Sequence, residues 1–253
     1  MSKKIIDEIQ SYFISKKINK VILSISGGVD SIFLFHLLLD LQNNINFKII
    51  LYHTNYNMNK NSYKSFELIK KICKKYDIRF LYDNVNLGKG NFESEARNFR
   101  YNKLKEISQD ENIDLILTAH HFDDQLETLI MKYEDKADWV SMLGIRREYD
   151  NIYRPLLNLS KKTIIKYAVK YNLTWLEDSS NTCMDFKRNM IRKKIKESYY
   201  SHKYIDNILM KHNKSKEMMN LFQKKYNNKL SSFVNKTSFS SISVAIDVVN
   251  FIN

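Results

Sequence analysis

Residues that punctuate or staple a chain are scarce here: 253 residues contain one proline, five glycines and two cysteines. No Pro/Gly-rich linker or internal repeat divides the sequence, so a domain boundary has to be sought in charge alone. Cys73 and Cys183 stand 110 positions apart. They form neither a disulfide framework nor a CxxC pair for a metal or redox centre, and a cytosolic chain is the simple reading. Long apolar runs are missing too. The longest, Ile32–Leu39, is broken by His36, which excludes a transmembrane helix and with it a membrane partner. The first residues are basic with no apolar segment behind them, so no secretory signal is expected. A hydrophobic fraction of 43% with 13% aromatics is enough for a substantial core and rules out wholesale disorder.

Acidic residues are the other shortage, 28 against 41 basic, for a net charge of +13. Composition explains part of this, because 33 lysines beside 8 arginines, with abundant Asn, Ile, Tyr and Phe, is what a G+C-poor genome would give. It does not explain the distribution. Residues 186–253 hold 14 basic and 4 acidic residues, a net of +10, leaving +3 for the first 185. Clustered lysine of this kind marks an electrostatic footprint for nucleic acid. The expected organisation is therefore a catalytic domain over residues 1–190 and a basic, mainly helical RNA-binding appendage over residues 191–253.

The first 120 residues alternate short branched-apolar runs with helical periodicity. Lys20–Ser26, Phe47–His53, Ile78–Asp83 and Ile113–Ala119 read as strands; Ser31–Leu41, Tyr63–Tyr76 and Phe92–Ser108 read as helices. Strands alternating with helices imply βαβ units and a doubly wound, mostly parallel α/β sheet of about five strands. Further helices are expected at His121–Asp135 and Lys161–Tyr171, with an extended piece near Ile152–Leu157. Residues 238–253 fit strand or helix equally.

The first strand runs into Ser26-Gly27-Gly28-Val29-Asp30-Ser31 and then into a helix. Two glycines at such a turn let backbone N–H groups converge, and the helix N-terminus favours anions. Ser26 and Ser31 add hydroxyls, which makes the segment a phosphate cradle, though without the Gly-Lys-Ser/Thr of a Walker A loop. Asp30 would repel phosphates unless a cation intervened, which implies Mg²⁺ beside ATP. The bland alternative is a tight turn with a capping aspartate. The motif resembles the PP-loop of the ATP pyrophosphatase superfamily, whose members split ATP between the α and β phosphates and adenylate a carbonyl oxygen.

A second cluster, Ala119-His120-His121-Phe122-Asp123-Asp124-Gln125-Leu126-Glu127-Thr128, follows the fourth strand. Helical spacing puts Asp123, Asp124 and Glu127 on one face, where they could hold Mg²⁺, bind an ammonium group or accept a proton. Otherwise they would be a solvated acidic helix start. This string is similar to the signature of the tRNA(Ile)-lysidine synthetase family. Further blocks resemble that family in order: Gly90–Tyr101 with Arg97 and Arg100 three residues apart, Arg154-Pro155-Leu156-Leu157, Trp175–Asn181, and Arg188-Asn189-Met190-Ile191-Arg192. Without the resemblance the two arginines of the first block read as a solvated helix face.

The resemblance implies a bacterial cytoplasmic ligase. It would join free L-lysine to carbon-2 of the wobble cytidine of the CAU-anticodon isoleucine tRNA through an adenylated cytidine, releasing AMP and pyrophosphate. It assigns ATP to residues 26–31 and catalysis to Asp30, Asp123, Asp124, Glu127 and Arg97. Lysine or tRNA binding falls to His120, His121, Arg100, Arg188, Asn189 and Arg192. The chain departs from the pattern at Tyr56, Asn59 and Ile145, where the family has histidine, arginine and methionine. The alternatives are another PP-loop tRNA modifier such as a thiolase, which would want a cysteine pair, or a non-catalytic RNA-binding module. A homodimer is compatible with the sequence. His36 reads as a core histidine and both cysteines as ordinary thiols, while Tyr199, Tyr200 and Tyr204 near the tail lysines are candidates for base stacking.

Overall fold

The structure is a computed structural model; it describes residues 3–56, 60–85, 92–176 and 186–233. Elements run in the order α1 (Lys3–Lys16), β1 (Lys20–Ser24), α2 (Val29–Gln42), β2 (Lys48–Asn55), α3 (Lys60–Tyr76), β3 (Arg79–Asn84), α4 (Phe92–Asp110), β4 (Leu115–Leu117) and α5 (Phe122–Glu134). They continue with β5 (Glu148–Tyr149), β6 (Ile152–Tyr153), α6 (Lys161–Lys170), α7 (Phe186–Lys196) and α8 (His202–Phe233). The chain divides into two units, one of residues 1–128 with 145–196 and one of residues 129–144 with 197–253.

The first unit is built on a sheet of order β3-β2-β1-β4-β6-β5. All neighbours are parallel except β5, which pairs antiparallel with β6. The sheet has six strands rather than about five. The added edge strand is a two-residue hairpin arm turned at Asp150, whose φ is 54°, and two residues are too few to show alternation. The N-terminal helix α1 also goes unread by strand–helix periodicity. It buries Ile5, Ile9 and Phe13, a spacing of four that lines one face of a helix.

Alternation along the strands sorts side chains to two faces. Val21, Leu23, Ile49, Leu51, Leu115 and Leu117 join the core formed with α1, α2, α3 and α6. Ile22, Ile50, Tyr52 and Ile116 pack on the opposite face with Leu104 of α4. Helix α2 is buried nearly all round, as its lack of a polar face requires. From β1 the strand order runs outward to β2 and β3 on one side and to β4 on the other. The carboxyl ends of β1 and β4 therefore flank the switch point, where doubly wound sheets bind ligands.

In the second unit His212 Nδ1 lies 2.8 Å from the Met142 carbonyl and Asn207 donates to the Tyr133 hydroxyl at 2.9 Å. Tyr200 and Tyr204 stack on one another at 5.2 Å, and the Tyr200 hydroxyl donates to Glu134. Of the three tyrosines suggested for base stacking, Tyr200 is thus buried in an internal stack, while Tyr199 is 69% exposed. Residues 238–253, Cys183 and Asn59 lie outside the described residues.

Candidate active site

The loop between β1 and α2 is shaped by its own hydroxyls. The Ser26 amide donates to Ser31 Oγ at 3.2 Å, Ser31 Oγ donates to the Gly28 carbonyl at 3.0 Å, and the Gly28 amide donates to Ser26 Oγ at 3.3 Å. Gly27 has φ +86°, and a Cβ there would meet the Cβ of Ser65 at 3.4 Å. The left-handed conformation calls for glycine, while α3 lies at ordinary contact distance. Val29 turns its side chain into the core, leaving its backbone as the part that can meet a ligand. Beneath the loop His53 is buried, with Nδ1 2.9 Å from the Ile25 carbonyl.

Asp30, at the first turn of α2, has a resident cation. Lys161 Nζ donates to its Oδ2 at 2.6 Å, a partner 131 residues away that sequence spacing could not reveal. Asp30 Oδ1 is buried without a hydrogen bond, and His121 Nε2 stands 3.7 Å from it. His121 is ringed by carboxylates, with Asp123 at 3.6 Å and Asp124 at 3.5 Å. Burial opposes a charge on this imidazole, but the neighbouring Asp123, Asp124 and Asp30 outweigh it and raise its pKa. For Asp123, burial acts upward, yet His121 and the Lys161 amide, which donates to it at 2.7 Å, bring its pKa below the usual carboxylate value.

Glu127 does not join this group. Although it shares a helix with Asp123 and Asp124, it is buried against α7, where Arg192 grips it through two hydrogen bonds of 2.7 and 2.9 Å. Arg188 Nε adds a contact at 3.4 Å, and Arg188 also donates to Thr128 Oγ1. Asn189 follows on the same helix, half-buried. Asp123, Asp124 and Asp30 are therefore brought together around His121, while Glu127 pairs with Arg192 of α7.

A positive region adjoins the acidic one. Arg97 and Arg100 of α4 sit over the Tyr101 ring at 5.2 and 5.7 Å. Arg154, buried, reaches toward the Tyr101 hydroxyl and donates to the Arg146 carbonyl at 2.7 Å. Burial lowers the His120 pKa far below its ordinary value, and Arg154, Arg100, Arg97 and Arg188 push the same way, so the ring is neutral near pH 7. Its Nδ1 lies 2.9 Å from Thr118 Oγ1. Arg154 and Lys161 are the residues that motif reading left without a role. Arg154 carried a signal in its place beside the only proline; Lys161 carried none. Tyr56 donates to the Ala96 carbonyl, and the Ile145 amide donates to Gln125, so neither departure leaves a gap.

With that geometry in place, the likenesses are specific. A protein described as the tRNA(Ile)-lysidine synthase of Mesoplasma florum is 33% identical over 79% of this chain and 51% of its own. That of Aster yellows witches'-broom phytoplasma is 34% identical over 69% of this chain and 40% of its own. The chain thus spans about half or less of the length of these relatives. Among solved structures, a U34-tRNA thiolase from Methanococcus maripaludis shares the fold with a TM-score of 0.66 at 18% identity, covering 85% of this chain and 79% of that one. A family profile described as a PP-loop domain matches residues 1–199, and the glycine turn between β1 and α2 and the doubly wound sheet agree with it: the chain belongs to the PP-loop family.

Proposed function

We propose that this chain is an ATP-dependent ligase that joins L-lysine to carbon-2 of the wobble cytidine in the CAU-anticodon isoleucine tRNA. The observation carrying this reading is that Asp30, Asp123 and Asp124 each stand within 4 Å of the His121 imidazole, beside a phosphate-cradling loop. Such a site suits a polyphosphate and an ammonium-bearing nucleophile at once.

On this reading the cytidine oxygen attacks the α-phosphorus of ATP and pyrophosphate leaves. The lysine ε-amine then attacks carbon-2 and AMP departs. Backbone groups and hydroxyls of residues 26–31 hold the pyrophosphate, and on this reading the guanidinium groups of Arg97, Arg100 and Arg154 offset phosphate charge. The attacking amine must be a free base, and its proton goes to Asp123 or Asp124; Glu127 is occupied by Arg192. The lysine α-ammonium takes the remaining carboxylate. Asp30 Oδ1, a buried oxygen without a hydrogen-bond partner among the described residues, is the kind of hard ligand a magnesium ion accepts. With Asp30 as its ligand, such an ion would offset phosphate charge. Residues 191–253 serve as the basic appendage that grips RNA.

The thiolase alternative fares less well. Cys73 is buried in the core, where burial pushes its thiol up to about 11, and the likeness to the solved thiolase is one of fold. Labelled lysine, ATP and unmodified isoleucine tRNA decide the matter: label in RNA is expected, and its absence with active, ATP-binding protein refutes the proposal.

A further inference from the structure

One side of the sheet carries an aromatic surface that the reaction does not use. On β3, Phe80 packs with the core on the α3 face while Leu81 packs on the opposite face, so Tyr82 returns to the α3 side. There Phe66 of α3 meets the Tyr82 ring edge-on at 4.8 Å, and Phe80 lies 5.5 Å from Tyr82 in a stacked arrangement. Tyr63, one turn before Phe66, is 64% exposed, and Tyr82 is 49% exposed. Lys70, one turn after, holds its ammonium 5.7 Å from the Phe66 ring centre.

This surface sits on β3, the edge strand of the sheet among the described residues. It also begins beside the candidate active site, because Ser65, next to Phe66, is the residue against which Gly27 of the loop packs. Its charge is strongly one-sided: from Tyr63 onward α3 carries Lys64, Lys70, Lys71, Lys74 and Lys75 against Glu67.

Exposed tyrosines interleaved with lysines, on an edge, a turn away from a nucleotide loop, match what unpaired nucleic acid requires. Bases stack on aromatic faces and lysines follow the phosphates. A protein partner would meet a surface lined with lysine, a residue depleted from interface cores. We infer that the α3–β3 face is a stacking platform for single-stranded RNA, holding nucleotides that flank the base delivered to the loop. The inference rests on the reading of tRNA as substrate.

The test is equilibrium binding of the full chain to unmodified isoleucine tRNA and to a nine-nucleotide single-stranded RNA, at several salt concentrations. Tyr63→Ala and Tyr82→Ala, both at exposed positions, should each weaken binding by about fivefold or more, the lower end of base-on-aromatic stacking. The slope of log K against log salt should stay unchanged. Tyr82→Phe should bind as the unaltered protein does, because it keeps the ring, and Lys70→Gln should lower the slope by about 0.7. If the unaltered chain binds tRNA and both alanine variants stay within about twofold of it, the platform is refuted and the tRNA reading survives. If the unaltered chain does not bind tRNA, both fall.

Discussion

Replacing Glu127 by glutamine separates two roles that helix spacing cannot distinguish. If Glu127 is a proton acceptor, the change should remove turnover and leave the fold untouched. If it anchors α7, the change should cost stability. The geometry favours the anchor: its side chain is 4% exposed and receives two hydrogen bonds from Arg192, with Arg188 Nε at 3.4 Å. Breaking a buried pair by removing one charge costs about 3–5 kcal/mol. Here Arg192 is 30% exposed, so water can relieve part of the loss, and glutamine keeps one acceptor oxygen. About 2 kcal/mol is the expected loss, which for a unit of this size lowers the melting midpoint by about 4–8 °C. Differential scanning calorimetry with initial rates of lysine transfer reads both quantities. A midpoint within about 1 °C of the unaltered protein, with turnover abolished, would refute the anchor and restore Glu127 to the chemistry.

Three further outcomes are expected. Gly27→Ala places a Cβ on a backbone with φ +86°; it should cost about 1–2 kcal/mol in urea unfolding and weaken ATP binding. Acid should destabilise the protein, because burial lowers the pKa of His36, His53, His120 and His212. The unfolded chain takes up protons below about pH 6.5 that the folded chain refuses. His121, with its pKa raised, opposes this by stabilising at low pH and losing that contribution as pH rises through its folded pKa. Four groups against one predict a lower melting midpoint at pH 5.5 than at 7.5, and an equal or higher one would contradict the argument. Finally, changing Lys214, Lys216, Lys224 and Lys225 of α8 to glutamine should flatten the salt dependence of tRNA binding by about 0.7–0.9 for each phosphate no longer neutralised, with ATP binding unchanged; an unaltered slope would retire the tail as an RNA element.

Much of the frame was legible because its signals are local. Branched-apolar runs of five to eight residues and the two glycines of the loop depend on nothing distant, so the parallel strands and the turn into α2 could be read directly. What escaped was decided by tertiary partners. Helix spacing put Asp123, Asp124 and Glu127 on one side of α5 but could not say that an arginine 65 residues later would claim only the last. It gave Asp30 an unbalanced charge, and the folded chain supplies Lys161 from far along the sequence. Tyr200 looked like its neighbour Tyr199 in the sequence; the hydrogen bond to Glu134 and the stack on Tyr204 bury one of the two. His36 is half-buried, edge-on to Phe35 and Tyr76, close to the core role its apolar helix suggested.

Residues 26–31, with Asp30 and its neighbours, are proposed to direct cleavage of ATP between the α and β phosphates. ATP labelled at the α or the γ phosphate, incubated with the full chain, L-lysine and unmodified isoleucine tRNA and resolved by chromatography, tests it most directly. AMP and pyrophosphate in equal amounts, formed with lysine and tRNA both present and reduced at least about tenfold by Asp30→Ala, is the predicted result. ADP and orthophosphate as the products would contradict it.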